Sequence, residues 1–364
     1  MTFCNTGYTL AILGATGLVG RSILSLLENT PLPVKRLLLL ASPRSAGQTL
    51  RFKGTPLPVL VASPELFEGV DLVLASAGGA VSARLLPEAV KRGAVCIDNS
   101  SYFRMEASVP LVVAGVNNDA LKHHNGIIAN PNCSTAQLMP VLKALDEAAG
   151  LQRVIVSTYQ SVSGAGETGI QGLIQATTTL LPFANSNTSG PQVTPFQRPI
   201  AFNLIPHIDV FGDADQYGLE LADYTKEEIK LVQESRKILN KPSLPITATA
   251  IRVPVLIGHS ESVTVEFERP LSPQRAQEVL AQAPHVIVAS SREDYFTPRE
   301  TAGTDPVYVS RLRRDSSNPR NTSDACYGLN FWVVADNLRI GAALNAVRLA
   351  ELAAQQLKQP AGYL

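Results

Sequence analysis

The sequence has few cysteines and histidines, no excess of either charge and no long apolar run. Its 4 cysteines are too few and too scattered for a disulfide framework, and its 5 histidines show no metal-ligand spacing. Lys plus Arg and Asp plus Glu both total 31, which argues against a nucleic-acid or membrane partner. Apolar runs fall short of the ~20 residues of a transmembrane helix, and the opening residues lack a secretory-signal pattern. We therefore expect a cytoplasmic protein with reduced thiols and no metal.

A chain of 364 residues is too long for one small core and favours two domains. Strand and helix patterns alternate up to residue 132, as in a Rossmann-like parallel sheet, whereas β-rich segments predominate after it. The predicted fold class is α/β, with an N-terminal Rossmann-like dinucleotide-binding domain and an α+β domain built on a mainly antiparallel sheet. The first domain is predicted to comprise residues 1–132 and 338–364, with the C-terminal helix packing back on it, and the second to comprise residues 133–337.

Four further segments carry definite predictions. Residues 111–113 read as a short strand, and residues 338–356 as one Ala- and Leu-rich helix. Residues 185–198 are rich in Asn, Ser, Thr, Pro and Gln, and we expect an exposed loop there. Residues 315–325 are also polar and are predicted to be mobile.

A glycine motif follows the first predicted strand. Tyr8 to Leu13 is a β-rich run, and it leads into Gly14-Ala15-Thr16-Gly17-Leu18-Val19-Gly20 at the start of a helical pattern. Strand, spaced glycines and helix form the dinucleotide-binding arrangement, in which the pyrophosphate lies at the helix N-terminus. Gly-rich turns between strand and helix are also common without a ligand.

The second predicted strand ends without the acidic residue that usually binds the ribose of NAD. Ser42, Arg44 and Ser45 follow it instead. A guanidinium beside hydroxyl groups suits a ribose 2′-phosphate, so we predict NADP rather than NAD. The alternative is a solvated arginine in a polar loop.

Cys133 lies where a strand pattern ends at Asn130-Pro131 and a helical pattern begins. A thiol at a helix start meets the positive end of the helix dipole, which favours the nucleophilic thiolate. Unpaired backbone N–H groups there, with the Asn132 side chain, could hold an acyl oxyanion. A buried structural cysteine beside a turn is the competing interpretation.

The partners of such a thiolate are less determined by the sequence. His259, after a glycine between two strands, and His207 are both candidates for the acid–base group. Arg252 precedes His259 by seven positions, so a bend is required if both serve one site. Arg104 follows another predicted strand and is either an anion-binding residue or a surface ion-pair partner.

Several motifs, in the same order along nearly the whole chain, resemble the aspartate-β-semialdehyde dehydrogenase family. They are the glycine motif, Arg-Ser-Ala-Gly at 44–47, Asn-Pro-Asn-Cys-Ser-Thr at 130–135, Gln160 before Ser-Gly-Ala-Gly, Glu227-x-x-Lys230, Arg252-Val-Pro-Val with Gly-His-Ser-Glu at 258–261, and Val-Val-Ala-Asp-Asn-Leu-Arg at 333–339. The cysteine motif together with Arg252 and His259 is specific, whereas the glycine motif is not. The family pattern commonly continues with Lys-Gly, where this chain has Ile340-Gly341.

The resemblance implies NADPH-dependent reduction of L-4-aspartyl phosphate to aspartate semialdehyde, with release of phosphate, in lysine, threonine and methionine synthesis. It implies a homodimer or a dimer of dimers assembled through the second domain. By the motifs, Cys133 is the nucleophile, His259 the acid–base group and Gln160 the residue that orients the acyl intermediate. Further implied contacts are Arg252 and Glu227 for the substrate carboxylate and amino group, Arg104 and Lys230 for phosphate, and Thr16 to Val19, Arg44, Ser45, Ser163, Gly164 and Asn337 for NADP.

Three other interpretations were weighed against this one. N-acetyl-glutamyl-phosphate reductases share the architecture, but their cysteine motif resembles Asn-Pro-Gly-Cys-Tyr, which differs at Asn132 and Ser134. The cysteine context also differs from that of glyceraldehyde-3-phosphate dehydrogenases. A non-enzymatic binding module should have lost Cys133, Arg252 or His259, and this chain has all three.

Overall fold

The computed structural model describes residues 7–181 and 196–357. The chain divides into two compact units, and the boundaries fall between Asn132 and Cys133 and between Gly341 and Ala342. The second unit is therefore continuous, while the first resumes after it. Most of the loop predicted at 185–198 lies outside the described residues.

The strands belong to two sheets. In chain order they are β1 Tyr8–Leu13, β2 Val34–Ala41, β3 Thr49–Phe52, β4 Thr55–Val61, β5 Leu72–Ala75, β6 Val95–Asp98, β7 Ile127–Ala129, β8 Leu151–Gln160, β9 Ile246–Arg252, β10 His259–Phe267, β11 Val286–Val288, β12 Val307–Arg314 and β13 Gly328–Ala335.

Most of the described helices are short, and α3 is the longest. They are α1 Leu18–Leu27, α2 Gly79–Lys91, α3 Cys133–Ala149, α4 Glu167–Leu180, α5 Ala214–Tyr217, α6 Lys226–Ile238, α7 Pro273–Ala281, α8 Pro298–Thr301 and α9 Leu344–Leu357, with 3₁₀ turns at Pro64–Phe67, Asn118–His123 and Val162–Ala165 and a π-helical turn at Arg339–Ala343.

The sheet of the first unit has the order β3-β4-β2-β1-β5-β6-β7, and its strand pairs are parallel except for β3 with β4. Its central strands are almost wholly buried. Their sequences are continuous apolar runs rather than alternating ones, as expected for strands of a sheet that helices cover on both faces. α1 and α9 pack together, and their apolar side chains join those of β1 in one core. In the sheet β1 lies between β2 and β5. The chain passes from β1 to β2 on one side and later returns to β5 on the other, which creates the switch point where dinucleotides bind in such sheets.

The sheet of the second unit has the order β11-β12-β13-β10-β8-β9, with three antiparallel and two parallel pairs. α3 packs against β8, β10 and β13 and also against α6 and α7. Pro140 lies inside α3, yet the helix continues from Cys133 to Ala149. The predicted fold class is confirmed, including the mainly antiparallel second sheet.

Some predicted elements were wrong or incomplete. Residues 111–113 form no strand, since only Leu111 makes an isolated bridge, to Ala129. The predicted C-terminal helix becomes α-helical only at Leu344, because the π-helical turn precedes it. β3, β4 and β11 were not recognised. β3 and β11 are only four and three residues long, and two prolines interrupt the strand pattern of β4.

The segment predicted to be mobile is tied to the second sheet by hydrogen bonds. The Asn321 amide donates to the backbone oxygens of Asp315 and Gly328, at 2.7 and 3.2 Å. Arg320 donates to the oxygen of Phe267 at 3.0 Å, and its guanidinium lies over the ring of Tyr327. In this structure the segment is a packed loop.

Candidate active site

Three strands of the second sheet place polar residues side by side at one end. Gln160 ends β8 and Arg252 ends β9, and the two are direct partners in the parallel ladder. His259 starts β10, one position beyond the pair of Ser260 with Tyr159, so it lies opposite Gln160 on the other side. Residues paired across neighbouring strands share a face, so the three side chains point the same way. The bend expected between Arg252 and His259 is the crossing from β9 to β10, with Gly258 at φ +99°.

His259 is fully buried and held through its Nδ1 atom. The Ser161 backbone N–H donates to this nitrogen at 3.1 Å, and the Ser161 hydroxyl lies 3.1 Å from it. Because Nδ1 accepts a hydrogen bond, we assign the ring hydrogen of the neutral imidazole to Nε2. Burial and the nearby Arg252 cation lower the pKa of His259 to about 3, against the opposing effect of Glu227. The imidazole is therefore neutral at physiological pH.

Gly164 lies beside the Nε2 atom of His259. Nε2 is buried and has no hydrogen-bond partner among the described residues. A Cβ at Gly164 would lie 3.4 Å from Nε2 and 2.8 Å from Nη1 of Arg252, and the second distance is too short unless the guanidinium shifts. Glycine therefore lets the backbone approach both N–H donors closely.

Arg252 connects the other charged groups of the site. Its Nη1 atom donates to the backbone oxygen of Ser161 at 2.7 Å, which leaves most of its five N–H donors for other acceptors. Burial lowers the pKa of Arg252 below its ordinary value, and the negative charges of Glu227 and Cys133 oppose this only in part. Arginine keeps its charge even so, and a buried cation within range of Cys133 stabilises a thiolate.

Gln160 and Glu227 form a buried polar pair next to α3. The Gln160 amide nitrogen lies within hydrogen-bond distance of Ser134 Oγ and Glu227 Oε1, both at 3.1 Å. The other Glu227 oxygen accepts from Lys230 at 3.2 Å, and Lys230 also pairs with Asp209 at 2.8 Å. Glu227 and Lys230, three positions apart on α6, are therefore in contact, and this ion pair holds the Glu227 carboxylate in place.

Cys133 is the first residue of α3 and is partly exposed. A side chain at Gly341 would place its Cβ 2.6 Å from Cys133 Cβ, so only glycine lets the π-helical turn approach the thiol-bearing residue so closely. Asn132, the preceding residue, is buried and ends the first unit. The expected position of Cys133 at a helix start is confirmed by the structure.

Asn337 and Ser163, two of the residues predicted to contact the cofactor, form hydrogen bonds around His259. The Asn337 Oδ1 atom accepts from the Ser161 and Ser163 hydroxyls, at 3.0 and 3.2 Å, and from the Gly258 N–H at 2.9 Å. Both Asn337 and Ser163 are buried. Within this unit they hold the residues on either side of the imidazole in place.

His207, the rival candidate for the acid–base group, lies in the same unit. It stacks on Phe211 at 4.7 Å and lines a cavity of about 260 Å³ that Arg252 also borders. Among the described residues its Nε2 has no hydrogen-bond partner. No backbone N–H of the described residues donates to its Nδ1, whereas the Ser161 N–H donates to that of His259.

The glycine motif of the first unit shows the close contacts of a dinucleotide-binding turn. Gly14 has φ +90°, and a Cβ there would lie 2.6 Å from the Ser76 oxygen at the end of β5. A Cβ at Gly20 would lie 2.2 Å from the Gly14 oxygen, so glycine is needed for α1 to pack on β1. Gly17 precedes Leu18, the first residue of α1. As the N-cap residue it has no side chain that could accept from the N–H groups at the start of this helix. This turn fits a pyrophosphate.

The other residues of the first unit that are predicted to bind cofactor or phosphate are partly exposed and partly buried. Ser42 and Arg44 are exposed after β2, whose parallel neighbour is β1. Arg44 makes no hydrogen bond or ion pair with any described residue. Arg104 is buried and donates to the Asn99 backbone oxygen at 2.8 Å. Its buried guanidinium lies after β6, at the same end of the sheet as the turn after β1.

Sequence reasoning missed three residues of the site: Ser161, Ser134 and Gly341. Ser161 was overlooked because its main interaction is made by the backbone, which no side-chain motif reports. The hydroxyl-rich run after Gln160 was the available signal. Gly341 appeared only as the glycine of the family's Lys-Gly pair, in which Ile340 replaces the lysine.

Neither a metal site nor a membrane span emerges from residues 7–181 and 196–357. They contain no group of three or more His, Cys, Asp or Glu side chains that could hold a metal ion. None of their helices is long and apolar enough to cross a membrane.

Comparison with known proteins identifies the family. Residues 9–124 match the NAD binding domain of semialdehyde dehydrogenases, and residues 142–340 match the dimerisation domain. The aspartate-semialdehyde dehydrogenase of Aquifex aeolicus (strain VF5) is 45% identical over 351 residues, or 95% of this chain and 98% of that protein. The corresponding protein of Bacillus subtilis (strain 168) is 44% identical over 353 residues, or 95% and 97%. The crystal structure of aspartate semialdehyde dehydrogenase II from Vibrio cholerae, complexed with ASA, matches with a TM-score of 0.88 and 42% identity, over 96% of this chain and 99% of that one. The chain belongs to the aspartate-semialdehyde dehydrogenase family, whose members are oxidoreductases.

Proposed function

We propose that this protein catalyses the NADPH-dependent reduction of L-4-aspartyl phosphate to L-aspartate 4-semialdehyde through a thioester on Cys133. The observation that supports it best is that the buried His259 Nε2 and Arg252 Nη1 lie side by side next to Gly164. The two groups belong to the unit whose first helix begins with Cys133. A nucleophile, a neutral imidazole and a buried guanidinium suit acyl transfer with an anionic substrate.

The first chemical step uses the thiolate. Cys133 Sγ adds to the acyl carbon of aspartyl phosphate, the bond from that carbon to the phosphate oxygen breaks, and inorganic phosphate leaves. The start of α3 and the Arg252 charge stabilise the thiolate. The Asn132 side chain and the N–H groups at the start of α3 are the proposed donors to the oxyanion. Covalent catalysis helps because a thioester accepts hydride more readily than a carboxylate.

In the second step His259 is the proposed hydrogen-bond donor to the oxygen of the acyl group. Bound NADPH supplies the hydride for the acyl carbon. The Nε2–H group donates to the oxygen as negative charge develops on it, and any proton that is transferred returns to the imidazole when the carbonyl re-forms, so this step takes up no net proton. The carbon–sulfur bond then breaks, which releases the aldehyde and restores Cys133. Because Ser161 holds Nδ1, the ring is already oriented for this donation.

Substrate binding is assigned to the charged groups around the thiol. Arg252 would hold the α-carboxylate, and Glu227 the α-amino group, since each presents the opposite charge in a buried setting. Gln160, which is bonded to Glu227, would orient the acyl group. Lys230 and Arg104 would bind the phosphate, and Lys230 would exchange its contact with Asp209 for it.

The cofactor assignment relies on the first unit. Gly14, Thr16, Gly17, Leu18 and Val19 would surround the pyrophosphate, and Ser42, Arg44 and Ser45 the ribose 2′-phosphate. Ser163, Gly164 and Asn337 are proposed to contact the nicotinamide half. The proposal further includes a homodimer formed through the second domain, a cytoplasmic location and a role in lysine, threonine and methionine synthesis.

The function is tested by NADPH formation with aspartate semialdehyde as substrate. We expect turnover to require inorganic phosphate, because phosphate must release the acyl group from the thioester. N-acetyl-glutamate semialdehyde is the matched alternative substrate. A preference for it would assign the protein to the other reductase class, and phosphate-independent turnover would exclude acyl-phosphate chemistry.

Replacement of Arg44 by alanine tests the coenzyme choice. We expect the KM for NADP to rise about 10-fold to 100-fold, since a phosphate–guanidinium contact contributes roughly 1.5–3 kcal/mol. The KM for NAD should change by less than about threefold because NAD has no 2′-phosphate. Both constants come from initial rates with each coenzyme. Equal losses with NADP and NAD would exclude a 2′-phosphate contact at Arg44.

A further inference from the structure

Glu261 is a buried carboxyl group that the proposed chemistry does not use. It lies on β10 two positions after His259, so both side chains point to the same face of the sheet, the face covered by α3. Its exposed fraction is 0%, and neither of its oxygens has a hydrogen-bond partner among the described residues. An ionised carboxylate in that position would cost several kcal/mol.

The Gln137 amide lies beside this carboxyl group and reaches the active-site strand. Gln137 is one turn along α3 from Cys133 and is fully buried. Its Nε2 donates to the backbone oxygen of His259 at 3.4 Å, while its Oε1 has no donor among the described residues. The Gln137 amide lies close enough to Glu261 to influence the pKa of the carboxyl group. Gln137 Oε1 and the two Glu261 oxygens are thus neighbouring buried acceptors without a donor among the described residues, and an ionised Glu261 has no hydrogen atom to supply.

A single proton removes this conflict. We propose that Glu261 is a neutral carboxylic acid whose O–H donates to Gln137 Oε1, so that Glu261 and Gln137 together position the backbone of His259 against α3. Glu261 is thus a positioning residue, and it acts through Gln137 on the strand end that carries the imidazole. This inference depends on the role of His259 under the proposed function.

The surroundings of Glu261 agree with a neutral group. Its ladder partners are Thr158 on β8 and Val333 on β13, and neither is titratable. The other titratable residues of β10 are His259, which is neutral, and Glu266, which is five positions away and so on the opposite face. On α3, Cys133 lies one turn before Gln137, while Lys143, Asp146 and Glu147 lie in the second half of the helix and form ion pairs there. Burial raises the pKa of Glu261 well above its ordinary value, and the Gln137 amide opposes this only in part.

The kinetic test compares Glu261→Gln with Glu261→Leu. Gln keeps a donor for Gln137 Oε1, so we expect kcat within about twofold of the wild type. Leu removes the donor, and we expect kcat to fall about 10-fold to 100-fold with little change in KM, since small displacements of a catalytic group have effects of this size. Glu266→Leu, the same substitution on β10 at a surface ion pair with Arg153, is the control and should keep full activity. Equal impairment of the Gln and Leu variants, or full activity of Glu261→Leu, would overturn the proposal.

A double variant separates positioning from general damage to the fold. In a His259→Asn background, Glu261→Leu should lower the residual rate by less than about twofold, because the group it positions is gone. An undiminished effect in that background would show that Glu261 does not act through His259.

The protonation state is tested without any activity measurement. A carboxyl whose pKa is raised by folding stabilises the native state below its unfolded pKa, and this contribution is lost as pH rises towards the folded pKa. From pH 5 to 8 the folding equilibrium constant of the wild type should therefore fall relative to that of Glu261→Gln, by up to about tenfold per pH unit. Denaturant unfolding at both pH values measures it. Parallel pH dependence of the two proteins would mean that Glu261 is ionised in the native state and would refute the neutral acid, whatever the enzyme's substrate.

Discussion

Replacement of Cys133 by alanine is expected to lower kcat by on the order of 10⁴-fold or more, the usual effect of removing an enzyme's covalent nucleophile. The thiol is the proposed attachment point of the acyl group, and the alanine side chain has no nucleophile that could replace it. Phosphate-dependent NADPH formation from aspartate semialdehyde gives the rate. Cofactor binding should persist, since the glycine motif lies in the other unit.

Cys326→Ala is the matched control for this variant. Cys326 is a buried cysteine of the same unit, in the loop before β13, and its thiol is bonded to the Gly328 oxygen at 3.3 Å. Its replacement should leave kcat within about threefold of the wild type, as for a substitution of a small buried side chain outside the site. Residual activity of Cys133→Ala near that of Cys326→Ala would rule out the thioester mechanism.

The second large effect is expected from His259→Asn, which should lower kcat by roughly 10²–10⁴-fold, the typical contribution of an acid–base group. Asparagine can accept from the Ser161 N–H through its amide oxygen but cannot transfer a proton as imidazole does. The structure favours His259 because its Nδ1 is fixed and its Nε2 lies next to Gly164 and Arg252 Nη1. Steady-state kinetics of the purified variant measure the change.

His207→Asn distinguishes the two histidine candidates. We expect its kcat to stay within about tenfold of the wild type, with any loss mainly in KM, since His207 shares a cavity with Arg252. A larger loss for His207→Asn than for His259→Asn would reverse the assignment of the acid–base group.

The pH dependence of the wild type offers an independent check on His259. Since its pKa is lowered to about 3, the imidazole should remain neutral from pH 5 to 8, and kcat/KM should show no histidine ionisation in that range. Any fall of the rate towards acid pH in this range should come from other groups, such as the Cys133 thiolate. A histidine ionisation near pH 6.5 that disappears in His259→Asn would contradict the neutral imidazole.

Much of the first unit could be predicted from the sequence because its signals are local. The glycine motif and the run Tyr8 to Leu13 each occupy a short stretch, and that run has the observed bounds of β1. In the same unit β3 and β4 were missed. The failures were local as well. Residues 111–113 have the composition of a strand, but only Leu111 pairs with a neighbour. Strand pairing is a tertiary property that composition does not report.

The second unit was harder because its site is assembled by strand order. Arg252 and His259 are seven residues apart, yet they belong to strands that flank β8 on opposite sides. Nothing local indicates that order. The importance of the Ser161 backbone N–H and of the Gly341 contact likewise arises from long-range packing. The family resemblance supplied the residues of the site, whereas the structure supplied the geometry that relates them.

The covalent intermediate is the central claim, and mass spectrometry of the acylated enzyme tests it most directly. The wild type would be mixed with aspartate semialdehyde and NADP without phosphate, and then quenched in acid. We predict a burst of NADPH equal to the active sites and an aspartyl group on the peptide that contains Cys133, removable by hydroxylamine. Cys133→Ala should give neither. A full NADPH burst without an adduct, or with the adduct on another residue, would contradict the thioester on Cys133.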